Sequence, residues 1–252
     1  MDFPKIEIIG IKGLPIIKEG DDLASSIIEA VKEMGLNLRD GDILVISHII
    51  VSKSEGRVRR LEEYRPSKFA EEIAKRSGKD PRHVEAILQS SRRIVRMRNG
   101  LIICEAVGGH ICANAGVDLS NAGIGKVALL PENPDLSAKK IKERIKELVG
   151  VDVAVVISDT HGRPLRRGSI NVAIGCSGLK PILDRRGERD LYGRTLRSKM
   201  ICVADELASA AELVIGQADE GIPVAIIRGY KFEKGEEPAS IIPRSEEDDV
   251  FL

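Results

Sequence analysis

Apolar residues along this chain recur at two spacings, in short solid runs and at every third or fourth position. The switches between them predict a mixture of strands and helices. Residues 5–9 read as a strand, and Asp21 as the cap of a helix with Leu23, Ile27, Val31 and Met34 inward and Gly35 at its end. Residues 43–51, ILVISHIIV, read as a buried strand running into Ser52-Lys53-Ser54-Glu55-Gly56. Asp80-Pro81 is a helix start with proline in the first turn, and Val84, Ile87, Leu88, Ser91 and Ile94 keep helical spacing. Strands are expected over 101–107 and 126–130. Ser137 then caps an amphipathic helix that buries Ile141, Ile145 and Leu148 and stops at Gly150.

Strands over 151–158 and 171–174 follow, and residues 179–194 read as irregular and basic. Val203, Leu207, Ala211 and Val214 mark a helix stopping at Gly216, and 224–227 a last strand before an acidic tail. Helices and strands mix without strict βαβ alternation, so the fold class is α+β (mixed α/β) rather than a doubly wound sheet.

Length and charge narrow the function. The 252 residues allow one large domain or two small ones. Lys and Arg total 39, as do Asp and Glu, so the net charge is zero and nothing predicts a nucleic-acid partner. The apolar runs are too short to span a bilayer, and MDFPKIEIIG lacks the basic and apolar regions of a signal peptide. The expectation is a cytoplasmic protein with no membrane partner. Cys104, Cys112, Cys176 and Cys202 form no C-x-x-C pair, which argues for reduced, buried thiols rather than a zinc ribbon.

Candidate chemistry gathers in four clusters. The first is VDVAVVISDTHGRPLRRG, residues 151–168, where an apolar strand ends in Asp159-Thr160 beside Arg163, Arg166 and Arg167. A carboxylate at a strand's C-terminal lip suits a hard cation such as Mg²⁺, and guanidiniums suit phosphate oxygens. Residues 114–121, NAGVDLSN, surround Asp118 with small residues that leave backbone bare. Residues 216–221, GQADEG, lie at a helix C-terminus, and Lys53 follows a buried strand. Taken singly, the last three read as an Asx turn, a helix cap with a polar turn, and a solvated loop. His161, inside the first cluster, reads as a helper hydrogen bond or an exposed side chain ahead of a catalytic group. No P-loop, no G-x-G-x-x-G after a strand and no G-x-S-x-G elbow is present.

Together the ordered segments GLPIIKEGDDLA, DGDILVISHIIVSKSEGR, CANAGVDLSN, ISDTHGRPLRRGSINVAIGCSG, RDLYGRTLR, VADELASAAELVIGQADEGIPVAIIRG and RSEEDDVF run along nearly the whole chain. They resemble the coenzyme F420-0:γ-glutamyl ligase family. The resemblance implies a GTP-dependent enzyme that attaches L-glutamate to the lactyl carboxylate of a deazaflavin precursor, then adds another through a γ-link. It implies Asp118 and Asp159 on one divalent cation, Mg²⁺ or Mn²⁺, with Thr160 and Gln217 helping to bind a second, and K⁺ as a further ion. Nucleotide contacts carry over to Leu14, Pro15, Ile16, Ile17, His48, Lys53, Asn121, Ile215, Gly216, Gln217, Ala218, Asp219, Glu220, Gly221 and Ile222. Some relatives have a small hydroxyl residue where His48 stands. The arginines at 163, 166 and 167 are assigned either to the triphosphate or to the coenzyme's phosphodiester.

The implied fold is two interleaved lobes in an intertwined homodimer. Residues 1–82 plus 201–252 are assigned to a nucleotide-binding lobe, and 83–200 to a glycine-rich lobe with the metal and phosphate motifs. The competing readings are an amide ligase for another carboxylate, a metal-dependent phosphohydrolase, and a non-catalytic binder of deazaflavin or nucleotide.

Overall fold

The structure is a computed structural model that describes residues 3–245 and 247–249, so the last three residues of the acidic tail lie outside it. Its framework is a five-stranded sheet in the order β1 (Glu7–Ile11), β12 (Val224–Arg228), β2 (Ile43–Ser47), β8 (Ala154–Gly162), β9 (Ser169–Ser177). Only β2 and β8 run parallel; the other neighbours are antiparallel.

Period-2 alternation divides the central strands between two cores. Leu44, Ile46, Val155, Ile157 and Ile226 face α1 (Leu23–Glu33) and α5 (Pro134–Val149). Ile43, Val45, Val156 and Ile227 face α6 (Val203–Ile215), through Leu207, Ala208 and Ala211. Both faces of the sheet are thus covered by helices, which is why these strands are almost wholly apolar.

A third core lies between residues 61 and 130. Here α3 (Lys68–Ser77) and α4 (Pro81–Gln89) pack on a three-stranded sheet of β4 (Ser91–Arg98), β5 (Leu101–Ala106) and β6 (Ile111–Ala113). Two small ribbons complete the described strands: β3 (Val58–Arg60) with β7 (Lys126–Ala128), and β10 (Ile182–Asp184) with β11 (Met200–Cys202).

Several sequence expectations are corrected. The run at 43–51 is not one strand. It stops at Ser47 and continues as helix α2 (His48–Ser54), because a solid apolar run satisfies either period. The helical spacing at Ser91 and Ile94 is accidental; α4 ends at Gln89 and these residues begin β4. The cap of α1 is Asp22, whose carboxylate accepts from the Ser25 N–H at 3.1 Å, one residue beyond Asp21. Asn133, not Ser137, caps α5, with Pro134 in the first turn; the Ser137 hydroxyl turns back to the Asn133 carbonyl. The segment expected to be irregular at 179–194 contains β10. The strand expected to end before Asp159 continues through it to Gly162, because β9 pairs with it in a long hairpin.

Gly175 shows how tightly the hairpin is held. A Cβ there would overlap the backbone carbonyl of Pro134 at the start of α5. Gly175→Ala should therefore cost about 2 kcal/mol, the usual penalty of overpacking, read as a lower urea midpoint with an unchanged slope.

Candidate functional site

The parallel pair β2–β8 positions the site. The two strands stay paired to Ser47 opposite Ser158, where β2 gives way to α2 while β8 runs on. Asp159 is the first residue of β8 past that divergence, at the carboxyl ends of two parallel strands. A cavity of about 540 Å³ opens there.

Most of the residues expected from the sequence line this cavity. They are Leu14, Pro15, Ile16 and Ile17; His48 and Lys53; Asp118 and Asn121; Asp159 and Thr160; and Ile215, Gly216, Gln217, Ala218, Glu220, Gly221 and Ile222. Asp219 is not part of the lining. Arg163, Arg166 and Arg167 sit on the tip of the β8–β9 hairpin, outside the lining, and the Arg163 guanidinium donates to the Arg167 carbonyl at 3.3 Å.

Asp159 is held between two imidazoles. Its Oδ1 is 3.3 Å from His48 Nε2 and its Oδ2 is 3.0 Å from His161 Nε2. His161 thus makes the helper hydrogen bond and is not an exposed side chain. Burial pushes the Asp159 pKa up, but the charge and hydrogen bond of His48, and those of His161, outweigh it and hold the carboxylate well below its usual range. Burial likewise acts to lower the His48 pKa, and Asp159 with the more distant Asp118 reverses this and raises it. The first residue of α2 thus faces Asp159, and its Nδ1 is 3.5 Å from Ser52 Oγ one turn on.

Asp118 reaches the cavity through an unusual turn. Asn114, Ala115 and Gly116 are successive left-handed residues, with φ of 54°, 52° and 69°, and Asn121 has φ 52°. Non-glycine residues in this region are costly and concentrate at functional sites. Backbone hydrogen bonds in both directions with Ala128 fix Asp118, and its carboxylate accepts from Ser120 N–H and Oγ at 2.8 and 2.6 Å.

The third group crosses the β8–β9 hairpin. Thr160 Oγ1 lies 2.8 Å from Asn171 Oδ1 and 3.0 Å from Gln217 Oε1. The Gln217 amide nitrogen donates to Asn171 Oδ1 at 3.1 Å and to Glu212 Oε1 at 2.7 Å, while the other Glu212 oxygen accepts the Asn171 N–H at 2.8 Å. Asn171 and Glu212 were missed by the sequence reading. Asn171 could have been found from the hairpin register, which sets it opposite Thr160; Glu212 carries no comparable signal.

Lys53 stands half-buried in the cavity wall. Burial lowers its pKa, and no carboxylate among the described residues forms an ion pair with it. Two buried oxygens of the lining, Asn114 Oδ1 and Ser158 Oγ, have no hydrogen-bond partner among the described residues. A cavity lined by a cation without an ion-pair partner among the described residues, and by partly unsatisfied oxygens, suits an anionic ligand and a hard cation.

The comparisons with known proteins converge on one family. The family model described as F420-0:Gamma-glutamyl ligase matches residues 10–229. A protein of Methanothermobacter thermautotrophicus named coenzyme F420:L-glutamate ligase is 51% identical over 98% of this chain and 98% of its own length. Relatives of the same name from Methanopyrus kandleri and Archaeoglobus fulgidus are 52% identical over 93% of each chain, and 45% identical over 98% of this chain and 96% of the relative. Every strand of the central sheet except the first residues of β1 falls inside the matched span, as does each residue that lines the cavity, so this chain belongs to the F420-0:γ-glutamyl ligase family.

Proposed function

We propose that this chain joins L-glutamate to the lactyl carboxylate of coenzyme F420-0, and then adds a further γ-linked glutamate, with GTP as the energy source. Family membership and the names of the relatives support the reaction. The observation that carries the chemistry is the clustering of oxygens from Thr160 on β8, Asn171 on β9 and Gln217 just past α6, in one cavity with Lys53, which has no ion-pair partner among the described residues.

Two divalent cations, Mg²⁺ or Mn²⁺, belong to this reading, with K⁺ as a further ion. The residues fit such ions. A threonine hydroxyl has one proton, so Thr160 satisfies only one of its two neighbouring carbonyl oxygens, and the crowded oxygens that result suit a hard cation. Asp118 and Asp159 would hold one ion, and Thr160 and Gln217 would help hold the other. When bound, such ions would supply positive charge against the phosphates.

The chain's own residues supply position and charge. A carboxylate does not react with an amine at neutral pH, so the acceptor is first converted to an acyl phosphate by γ-phosphoryl transfer. That step is catalysed by alignment and charge neutralisation. Lys53 meets a phosphate as a point charge, and the loop 14–17 and segment 215–222 enclose the nucleotide. Because Arg163, Arg166 and Arg167 lie outside the lining, they suit the acceptor's phosphodiester better than the triphosphate. The intertwined homodimer is part of the same reading, supported by Leu191 and Tyr192, almost wholly exposed between β10 and β11.

Product mass after incubation with the unglutamylated coenzyme, GTP, glutamate and Mg²⁺ tests the reaction: the acceptor should gain glutamyl residues. GTP consumed without an acceptor would make the chain a phosphohydrolase. Product formed only on another carboxylate would make it a related amide ligase, and ligand binding without turnover a binding protein. Any of these overturns the proposal. Lys53→Ala should raise the KM for nucleotide about tenfold and change kcat less, the loss expected for one charge-assisted contact.

A further inference from the structure

The cysteine spacing argues against a zinc ribbon, but the fold brings three different metal-binding side chains together. Cys112 lies in the middle of β6, and Asp159 and His161 stand two residues apart on β8, against which β6 packs. One ligand atom from each, a thiol sulfur, a carboxylate oxygen and an imidazole nitrogen, lie within 4.8 Å of one another. Cys112 and His161 are absent from the lining of the cavity described above, whereas Asp159 belongs to it.

We propose that Cys112, Asp159 and His161 form a second kind of metal site, selective for a thiophilic divalent cation of the Zn²⁺ class, on the far side of Asp159 from His48. The donor set decides the class of ion. Thiolate and imidazole favour Zn²⁺ and its neighbours over Mg²⁺, which takes oxygen ligands. A tetrahedral ion with Zn–S about 2.3 Å and Zn–N about 2.0–2.1 Å needs ligand atoms roughly 3.4–3.6 Å apart, so no pair must close by more than about 1.4 Å, and Asp159 Oδ2 and His161 Nε2, now 3.0 Å apart, open slightly. Binding releases the thiol proton to solvent, turns the His161 Nε2 lone pair to the ion, and leaves the fourth position to water. The side chains of Asp159 and His161 keep 11% and 16% exposure, which leaves the ion a route in.

The site shares Asp159 with the proposed hard-cation site but does not require it, because its other two ligands lie outside the cavity. Two dications drawing on one carboxylate weaken each other, and the coupling is reciprocal.

Titration with Co²⁺ tests the proposal, since a thiolate ligand adds a charge-transfer band in the near ultraviolet. The band should appear in the wild-type protein with one equivalent of Co²⁺ and be lost in Cys112→Ser and His161→Gln. It should persist in Cys104→Ser, which removes the buried thiol paired across from Cys112 on β5. No band in the wild type, or a band retained in Cys112→Ser, overturns the site. Paramagnetic resonance of Mn²⁺ on the Cys112→Ser protein reports the cavity side separately and shows that this variant is folded. Loss of Mn²⁺ binding in the wild type with the Co²⁺ band intact would count against the proposed function and not against this site. One equivalent of Zn²⁺ should lower Mn²⁺ affinity about tenfold in the wild type; an unchanged affinity would overturn the sharing of Asp159.

Discussion

Asp159→Asn should leave the protein folded and reduce turnover about a thousandfold, the upper range for removing one electrostatic contact from a buried site. The substitution preserves shape. An amide can accept from one imidazole N–H through its oxygen and donate through its nitrogen to the lone pair of the other ring, so the 3.3 and 3.0 Å contacts with His48 and His161 can both be remade. What is lost is the charge. The carboxylate is held ionised against its own burial, and its Oδ1 side belongs to the cavity where the phosphates are proposed to lie. Circular dichroism and a thermal melt should match the wild type, while Mn²⁺ binding and glutamyl transfer fall together. Near-normal turnover at ordinary metal concentrations would show that Asp159 is a structural residue and that the central assignment is wrong.

Asp159 was visible in the sequence because it breaks an apolar run at a place where parallel strands leave a crevice. Its setting was not visible. The run that precedes Lys53 reads as one strand through residue 51, so His48 falls mid-strand instead of opening a helix that points its ring at Asp159. The core was easier: Ile27 and Val31 on α1, and Ile141 and Ile145 on α5, follow helical spacing and are buried against the sheet. The helix at Lys68–Ser77 was missed because its apolar face is narrow, with only Ala70, Ile73 and Ala74 buried. Gln217 could be assigned only through the family resemblance, since nothing in GQADEG marks a ligand. Asn171 and Glu212 needed the third dimension. One depends on the register of a hairpin that the sequence reading broke at Asp159, and the other sits on a helix whose pattern reports only its buried face.

Glu212 nonetheless controls which atom Gln217 shows to the cavity, and Glu212→Gln should lower cation affinity and turnover about a hundredfold. A carboxylate only accepts, so its two oxygens take the Asn171 N–H and the Gln217 amide nitrogen, and Gln217 Oε1 is thereby turned towards Thr160. In the variant the backbone N–H of Asn171, fixed in β9, still claims the one carbonyl oxygen. The new amide nitrogen then faces the nitrogen of Gln217, two donors with nothing between them. Gln217 relieves this by flipping, which restores its bond to position 212 and lets its nitrogen donate to the Thr160 hydroxyl, and the Asn171 amide must turn with it so that a nitrogen rather than Oδ1 faces the Gln217 oxygen. With both amides turned each amide hydrogen bond has a replacement and only the Thr160 proton loses its acceptor, so stability should change little. The cavity, however, exchanges an oxygen for an N–H₂ group that repels a cation. Partners that orient a metal ligand in this way are worth about 10–100-fold in affinity, and here the ligand atom itself is replaced, which places the effect at the upper end. Mn²⁺ titration followed by paramagnetic resonance, beside a urea melt, separates the two consequences. A variant that binds Mn²⁺ as the wild type does would show that the Gln217 oxygen takes no part in the site. A variant that unfolds at much lower urea would show that Glu212 serves the packing of α6 on β9 rather than the orientation of Gln217.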